Sequence, residues 1–485
     1  MKKRLLLLLS VLLLPGVLSG FRMAAAEYPW SNPFRLSNPE YKASEASLVA
    51  DPFGYAHVFW AEELPNLQNV VQYARFDGQT WSFPIDIYLG NTNTPIKSIS
   101  SAVDSNGILH VAWTEGLFRK FISYSRATDL NALSSQKWLP PINIRIPAET
   151  VRLQVDAQGT LHILFTRIDD EGRGVYYIRS QDEGKTWSTP LWLDPDLPPQ
   201  LVPGFLNFAL DQNGGLHAVW AYQDLETSGG DWVRYARSLD GGDTWEPPVT
   251  IARNSPGDAP LNGFARPVMA ISGQTVHIVW AGGDLLYRNH RYSTDRGTTW
   301  SEPTRILGSL NGQAGDGMAV DGAGRVHYFS QIRFPKGIYH TIWDGDRWTP
   351  PALIYLIQAS STDPPIEGQV EAHSTFPVVR AGNQLILTFT DPPPDEKRGL
   401  YVMTRTLTDI PPQTAQPTPT VAPTATPQPT PTIPATPTAT PTIPSPAPIE
   451  KSVPVSDTAL WFGPAFSLAV VAVIAVAWSI LRRRQ

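Results

Sequence analysis

Cysteine is absent from the 485 residues. That single absence removes disulfides, thiolate metal sites, iron–sulfur clusters, cysteine nucleophiles and a lipid-modified N-terminal cysteine. Charge is also sparse: charged residues make up 17% of the chain, with a formal net charge of −6. Most of the acidity sits in the middle, where residues 27–409 carry 30 Lys/Arg against 42 Asp/Glu. An acidic globular part lacks the electrostatic footprint of a nucleic-acid binder. Long apolar runs are confined to the two ends. What is abundant is proline (47), glycine (36) and tryptophan (16), which points to turns and an aromatic-rich β structure.

The ends suggest a location. Lys2-Lys3-Arg4, the run Leu5–Leu14 and Ala24-Ala25-Ala26 are laid out as a secretory signal peptide, 1–26, cleaved before Glu27. Ala459–Leu481 is uncharged over 23 residues, enough to span a bilayer as a helix. The basic tail 482–485 behind it belongs in the cytoplasm by the positive-inside rule. Between them, 410–458 is a Pro/Thr-rich stretch of P-T-P-T type, expected to be a disordered stalk reaching on the order of 100 Å. Its threonines are candidates for glycosylation. The expectation is a single-pass protein of a cell surface, a bacterial one given the missing cysteines, with 27–409 outside.

The segment 27–409 repeats itself. The phrase D-x-x-G-x-x-H, followed by an apolar residue, any residue and an aromatic, occurs at Asp51/Gly54/His57/Trp60, Asp104/Gly107/His110/Trp113, Asp156/Gly159/His162/Phe165 and Asp211/Gly214/His217/Trp220. A slipped copy keeps His277 and Trp280, Asp321/Gly324/His327 follows, and a worn copy spans Arg380 to Phe389. Seven copies some 50 to 60 residues apart give the period of a propeller blade. About twenty residues after each comes a second turn, clean at Ser180–Trp187, Ser238–Trp245 and Ser293–Trp300, and reduced at Asp77–Trp81 and Asp344–Trp348. In one unit it is stretched from Ser125 to Trp138. Asp and Ser side chains bond the backbone of such a turn, Gly supplies positive φ and Trp packs back across the hairpin. Two hairpins per unit make four strands. The seventh unit lacks its last strand, and Trp30–Leu36 has the pattern of the missing piece. The fold predicted is all-β, a seven-bladed propeller closed by its N-terminal strand.

The turn S-x-D-x-G-x-T-W resembles the Asp box of the bacterial-neuraminidase-repeat proteins, a group that includes the sialidases. The resemblance implies that the boxes are structural, so Asp182, Asp240 and Asp295 are not catalytic candidates. It also implies candidate roles elsewhere. Arg145-Ile146-Pro147 is similar to the sialidase Arg-Ile-Pro motif, which makes Arg145 a clamp for a sugar carboxylate and Asp169 or Asp170, in the following inter-hairpin loop, the proton donor. Arg266 is a second clamp residue by position. Sialidases have six blades where seven are counted here, and their Tyr nucleophile and Glu partner find no match. No cofactor and no metal site is expected; the six repeated histidines read as packing residues, and no carboxylate spacing specifies calcium.

By strand direction, the Asp-x-x-Gly and Asp-box turns lie on one face of the disc and the inter-hairpin and inter-blade loops on the other. That second face gathers carboxylates and the aromatics Tyr222 and Trp232, a surface suited to sugar hydroxyls. Three functions fit: binding glycans or an extracellular protein ligand through the loop face, which the incomplete catalytic set favours; a sialidase-type exo-glycosidase; or a non-catalytic surface scaffold.

Overall fold

A computed structural model of the chain describes residues 30–224, 229–253, 261–262, 265–283, 286–312, 315–333, 335–357, 376–391 and 398–417. The expected signal peptide, membrane helix, basic tail and most of the stalk lie outside these residues. Among the described residues no helix is long and apolar enough to cross a membrane. Among the described residues the only helical turns are two 3₁₀ turns, Asp129–Asn131 and Ser135–Lys137.

Seven antiparallel sheets follow one another around an axis. Blade 1 shows the plan: Lys42–Ala50, Ala56–Glu63, Asn69–Phe76 and Ile85–Leu89, paired in sequence order from inside outward. The other inner strands are Ile96–Val103, Thr150–Val155, Leu201–Leu210, Val268–Ser272, Asp316–Val320 and Phe376–Arg380. Blade 4 carries an extra two-residue strand, Leu261–Asn262. Blade 7 takes its fourth strand from the N-terminus, with Phe34 opposite Val402 and Arg35 opposite Tyr401. The seven-bladed count and the N-terminal closure are therefore both as expected. Closure pairs the outer edge of the last blade with the chain's own start and prevents the final blade from peeling away.

Each blade is buried on both faces, which explains why the second strands are almost continuously apolar rather than alternating. The core is a set of seams between neighbours. Phe59 and Tyr73 of blade 1 pack on Leu109 and Trp113 of blade 2, and Phe329 and Ile338 of blade 6 on Leu385 and Phe389 of blade 7. Leu400 and Val402 of blade 7 pack on Val58 and Trp60 of blade 1. The aromatic that ends each repeated phrase lies in these seams: Trp60, Trp113, Phe165 and Trp220 are all fully buried.

The packed chain continues past the predicted start of the stalk at 410. Ile410 is buried with Phe329 and Leu385. The Gln413 amide donates to the Ala381 carbonyl at 2.8 Å and the Gln416 amide to the Pro52 carbonyl at 2.9 Å. Residues 407–416 thus strap blade 7 to blade 1 on the face of the Asp-x-x-Gly turns.

Three inner strands are interrupted at similar heights. Register slips between Ser44 and Ser47, Lys97 and Ser100, and Gly204 and Asn207 mark β-bulges. Each holds a non-glycine residue at positive φ: Glu45 (46°), Ser98 (49°) and Phe205 (51°). Bulges redirect side chains, and the strain of a left-handed non-glycine residue persists only where surroundings enforce it.

Candidate functional site

The repeated motifs turn out to be the scaffold of the site rather than the site. In the clean boxes the Asp carboxylate gathers its own turn: Asp182 accepts from the Ser180 hydroxyl (2.8 Å), the Thr186 amide (2.9 Å) and the Thr186 hydroxyl (2.6 Å). Asp240 and Asp295 repeat the pattern. These bonds favour the ionised form and hold Asp182 and Asp240 down at about 2.

The histidines form a second structural ring. His57, His162, His217 and His327 each face the Asp that opens their turn, with Nε2 at 3.0–3.1 Å from the carboxylate. Nδ1 meets a partner on the third strand, Tyr73, Tyr177, Tyr235 or His340. Tyr124 and Tyr235 reach further, to the Glu183 and Arg296 carbonyls in the Asp box of the next blade. All six repeated histidines are buried. Asp51, His57 and Asp129 stand close enough to share a cation, but Arg75 already donates to Asp129 Oδ1 at 3.0 Å. That guanidinium supplies the compensating charge.

The four residues picked out by resemblance do not form one site. Arg145 is not at the head of blade 3. Ile142–Pro147 pairs with the third strand of blade 2, Tyr124 opposite Ile142 and Phe121 opposite Pro147, so the Arg-Ile-Pro tripeptide is that blade's outer edge. There Arg145 is exposed, at φ +60°, its amide donating to Asn143 Oδ1 at 2.8 Å. Asp169 is gripped by Arg167 through two bonds of 2.6 and 3.1 Å. Those bonds hold its carboxyl below the usual range, the wrong direction for a proton donor. Asp170 is solvent-exposed and pairs with Arg173. Of the two predicted aromatics, Tyr222 is buried and donates to Asp194 Oδ2 at 3.0 Å, while Trp232 lies under Arg253 and Arg234.

Of the four, Arg266 is the one whose charge is felt by groups of more than one other blade. It leads into the inner strand of blade 5 and lies over the Phe205 ring at 4.6 Å. Burial lowers its pKa to about 10, with Asp316 and Glu45 opposing the shift and Arg288 adding to it. Glu45 is also within electrostatic reach of Arg152 on blade 3 and Arg398 on blade 7, both lowered by burial. One carboxylate on blade 1 can feel guanidiniums from blades 3, 5 and 7 only near the axis, where the inner strands converge. The bulges build this centre. The Ser98 amide donates to Glu45 Oε2 at 3.3 Å, and Arg152 Nη1 donates to Ser98 Oγ at 3.2 Å and the Val151 carbonyl at 2.8 Å. Asp316, which also acts on Arg266, accepts from Arg288 at 2.8 Å. The cluster lies toward the loop face, since each of these residues sits toward the end of its strand that the inter-hairpin and inter-blade loops join. An otherwise acidic propeller thereby concentrates guanidinium groups at its centre.

Arg152 and Arg398 were missed from sequence. Arg152 carries a faint signal, an arginine between Val151 and Leu153 in a strand otherwise fit for a core; the pairing of distant blades does not.

The BNR/Asp-box repeat model matches residues 291–302, the box of blade 5. No curated protein matches. Among solved structures, a protein of unknown function from Dyadobacter fermentans is 14% identical, with 78% of this chain and 98% of that one covered and a TM-score of 0.50. The Hadza microbial sialidase Hz136 is 12% identical over 78% and 96% of the two chains, TM-score 0.44. The intramolecular trans-sialidase of Ruminococcus gnavus is 14% identical over 78% and 97%, TM-score 0.43. At 14% identity the likeness to the Dyadobacter fermentans protein is one of fold alone.

Proposed function

We propose that this Asp-box propeller is a glycan-binding module that takes the carboxylate of an acidic sugar on its loop face, near the axis. The observation that supports the reading is that the Glu45 carboxylate acts electrostatically on Arg152, Arg266 and Arg398, which come from three non-adjacent blades. Guanidinium matches carboxylate in geometry as well as charge, and partial burial strengthens each such bond. Neither acid named for the hydrolytic reading favours it: bonds from Arg167 lower the Asp169 carboxyl and Asp170 is exposed beside Arg173. Binding of a sugar therefore agrees better with these residues than cleavage. The signal and anchor segments of the sequence support display on a cell surface, which protease treatment of intact cells tests by releasing or sparing the propeller.

The binding test is a glycan array probed with the full chain, with a fluorogenic sialoside assayed alongside. Carboxylate-capped glycans should be retained over their neutral counterparts. Arg266→Ala should weaken that retention by tenfold or more, since a hydrogen bond to a charged group contributes about 1.5–3 kcal/mol. Arg145→Ala should leave it unchanged. Equal retention of capped and neutral glycans would remove the proposal. Hydrolysis of the sialoside, abolished in Arg266→Ala, would replace it with the glycosidase reading; failure to retain any glycan would leave the scaffold reading.

A further inference from the structure

A groove of about 520 Å³ opens on the loop face of blade 3, lined by Asp170, Glu171, Arg173, Trp192 and the segment Leu197–Pro199. Trp192 closes the outer strand, Leu191–Trp192. Its indole stacks on Tyr176 with ring centres 5.6 Å apart and planes at 21°, and Gly174 leaves room for it, since a Cβ there would collide with the indole nitrogen. Despite this fixed seat Trp192 stays 39% exposed. Around it the polar groups are tied in place: Arg173 binds both Asp170 and the Pro199 carbonyl, and Arg119 of blade 2 pairs with Glu171 at 3.1 Å.

We infer that this groove is an accessory subsite for a neutral hexose of a longer glycan, with Trp192 as the stacking platform. A flat, immobilised indole offers an apolar surface to the C–H face of a pyranose at little entropic cost. Asp170 and Glu171 provide acceptors for its hydroxyls. Arg173 and Arg119 offset their charge, so the groove offers an acidic sugar no net attraction, in contrast with the arginine-rich centre. The outer strand lies three strand spacings from the inner one, roughly 14 Å at about 4.8 Å each, a span that a short oligosaccharide bridges on one face. The inference rests on the proposed glycan reading for its biological setting, but its chemistry can fail separately.

The test uses the full chain and two probes, a neutral cellotetraose and the same tetrasaccharide capped with glucuronic acid, titrated while tryptophan fluorescence is followed. The neutral probe should bind, and Trp192→Ala should weaken it about tenfold, the size expected for loss of one aromatic contact. Trp192→Leu, which still covers Tyr176, should weaken it to a similar degree and separates loss of the platform from loss of folding. Arg145→Ala, on the outer edge of blade 2, should leave the neutral probe unaffected, whereas Arg266→Ala should reduce the extra affinity of the capped one. Absence of neutral binding at millimolar concentration, or unchanged affinity in Trp192→Leu, overturns the subsite. A capped probe that gains nothing over the neutral one, with Trp192 still required, overturns the central site and leaves the subsite standing.

Discussion

Acidification from pH 7.5 to 5.5 should weaken the propeller through histidines that burial keeps neutral. His277 is pushed down to about 4, and His110 and His290 to about 3. Desolvation is the main cause in all three. Their neighbours offer no carboxylate in compensation: His277 lies 3.1 Å from His290 and against Tyr292 and Trp343. His290 also accepts from the Trp348 indole, and His110 faces Tyr124 and the charge of Arg126. In the unfolded chain each would titrate near 6.5. Between that value and the folded one the unfolded state binds more protons, so stability is complete above 6.5 and falls as pH drops, by about 1.4 kcal/mol per pH unit for each group. At pH 5.5 the three together cost ~4 kcal/mol, a large part of a typical 5–15 kcal/mol. Urea unfolding at constant ionic strength, followed by tryptophan fluorescence, should show the midpoint falling steeply over this interval. In His110→Gln the pH slope should drop by one group's share, about 1.4 kcal/mol per pH unit below 6.5. A midpoint that stays constant from pH 7.5 to 5.5 would refute the reasoning, because it would mean these rings gain protons as freely folded as unfolded.

Other perturbations probe the scaffold. Gly242→Ala places a side chain at φ +86° against the Tyr177 hydroxyl of the preceding blade; thermal denaturation should show a loss of about 2 kcal/mol or more, whereas Gly241→Ala, next to it with open space, should lose only the cost of its left-handed backbone. Ile410→Ala should cost about 2–4 kcal/mol if the strap beyond blade 7 belongs to the fold, measured by the same unfolding titration. A change near zero would return that residue to the stalk.

How much of this was legible in one dimension depended on the range of the interactions. The boxes and the Asp-x-x-Gly turns are local: Ser180, Asp182, Gly184 and Thr186 bond one another within a few residues, so their spacing announces the hairpin wherever it falls. Blade count follows from the period, and closure by Trp30–Leu36 follows from a strand missing at one end and left over at the other. The Ser125–Trp138 box marks the limit of local reading, since its insertion folds into two 3₁₀ turns and brings Asp129 to Arg75 of the neighbouring blade.

Arg145 shows how a short motif misleads: its tripeptide is intact, yet pairing with Phe121–Tyr124 sends it to an outer edge. Asp169 is adjacent in sequence to plausible chemistry, but Arg167 two residues earlier takes its charge. Residues that meet around Glu45 come from positions 152, 266 and 398, and no spacing rule connects them. Local hydrogen bonding and apolar periodicity, written into the chain, determined the blades, their number and their closure. Only the curvature of the closed ring decided which side chains converge on the axis, because proximity there is set by the packing of every seam between them and not by distance along the chain.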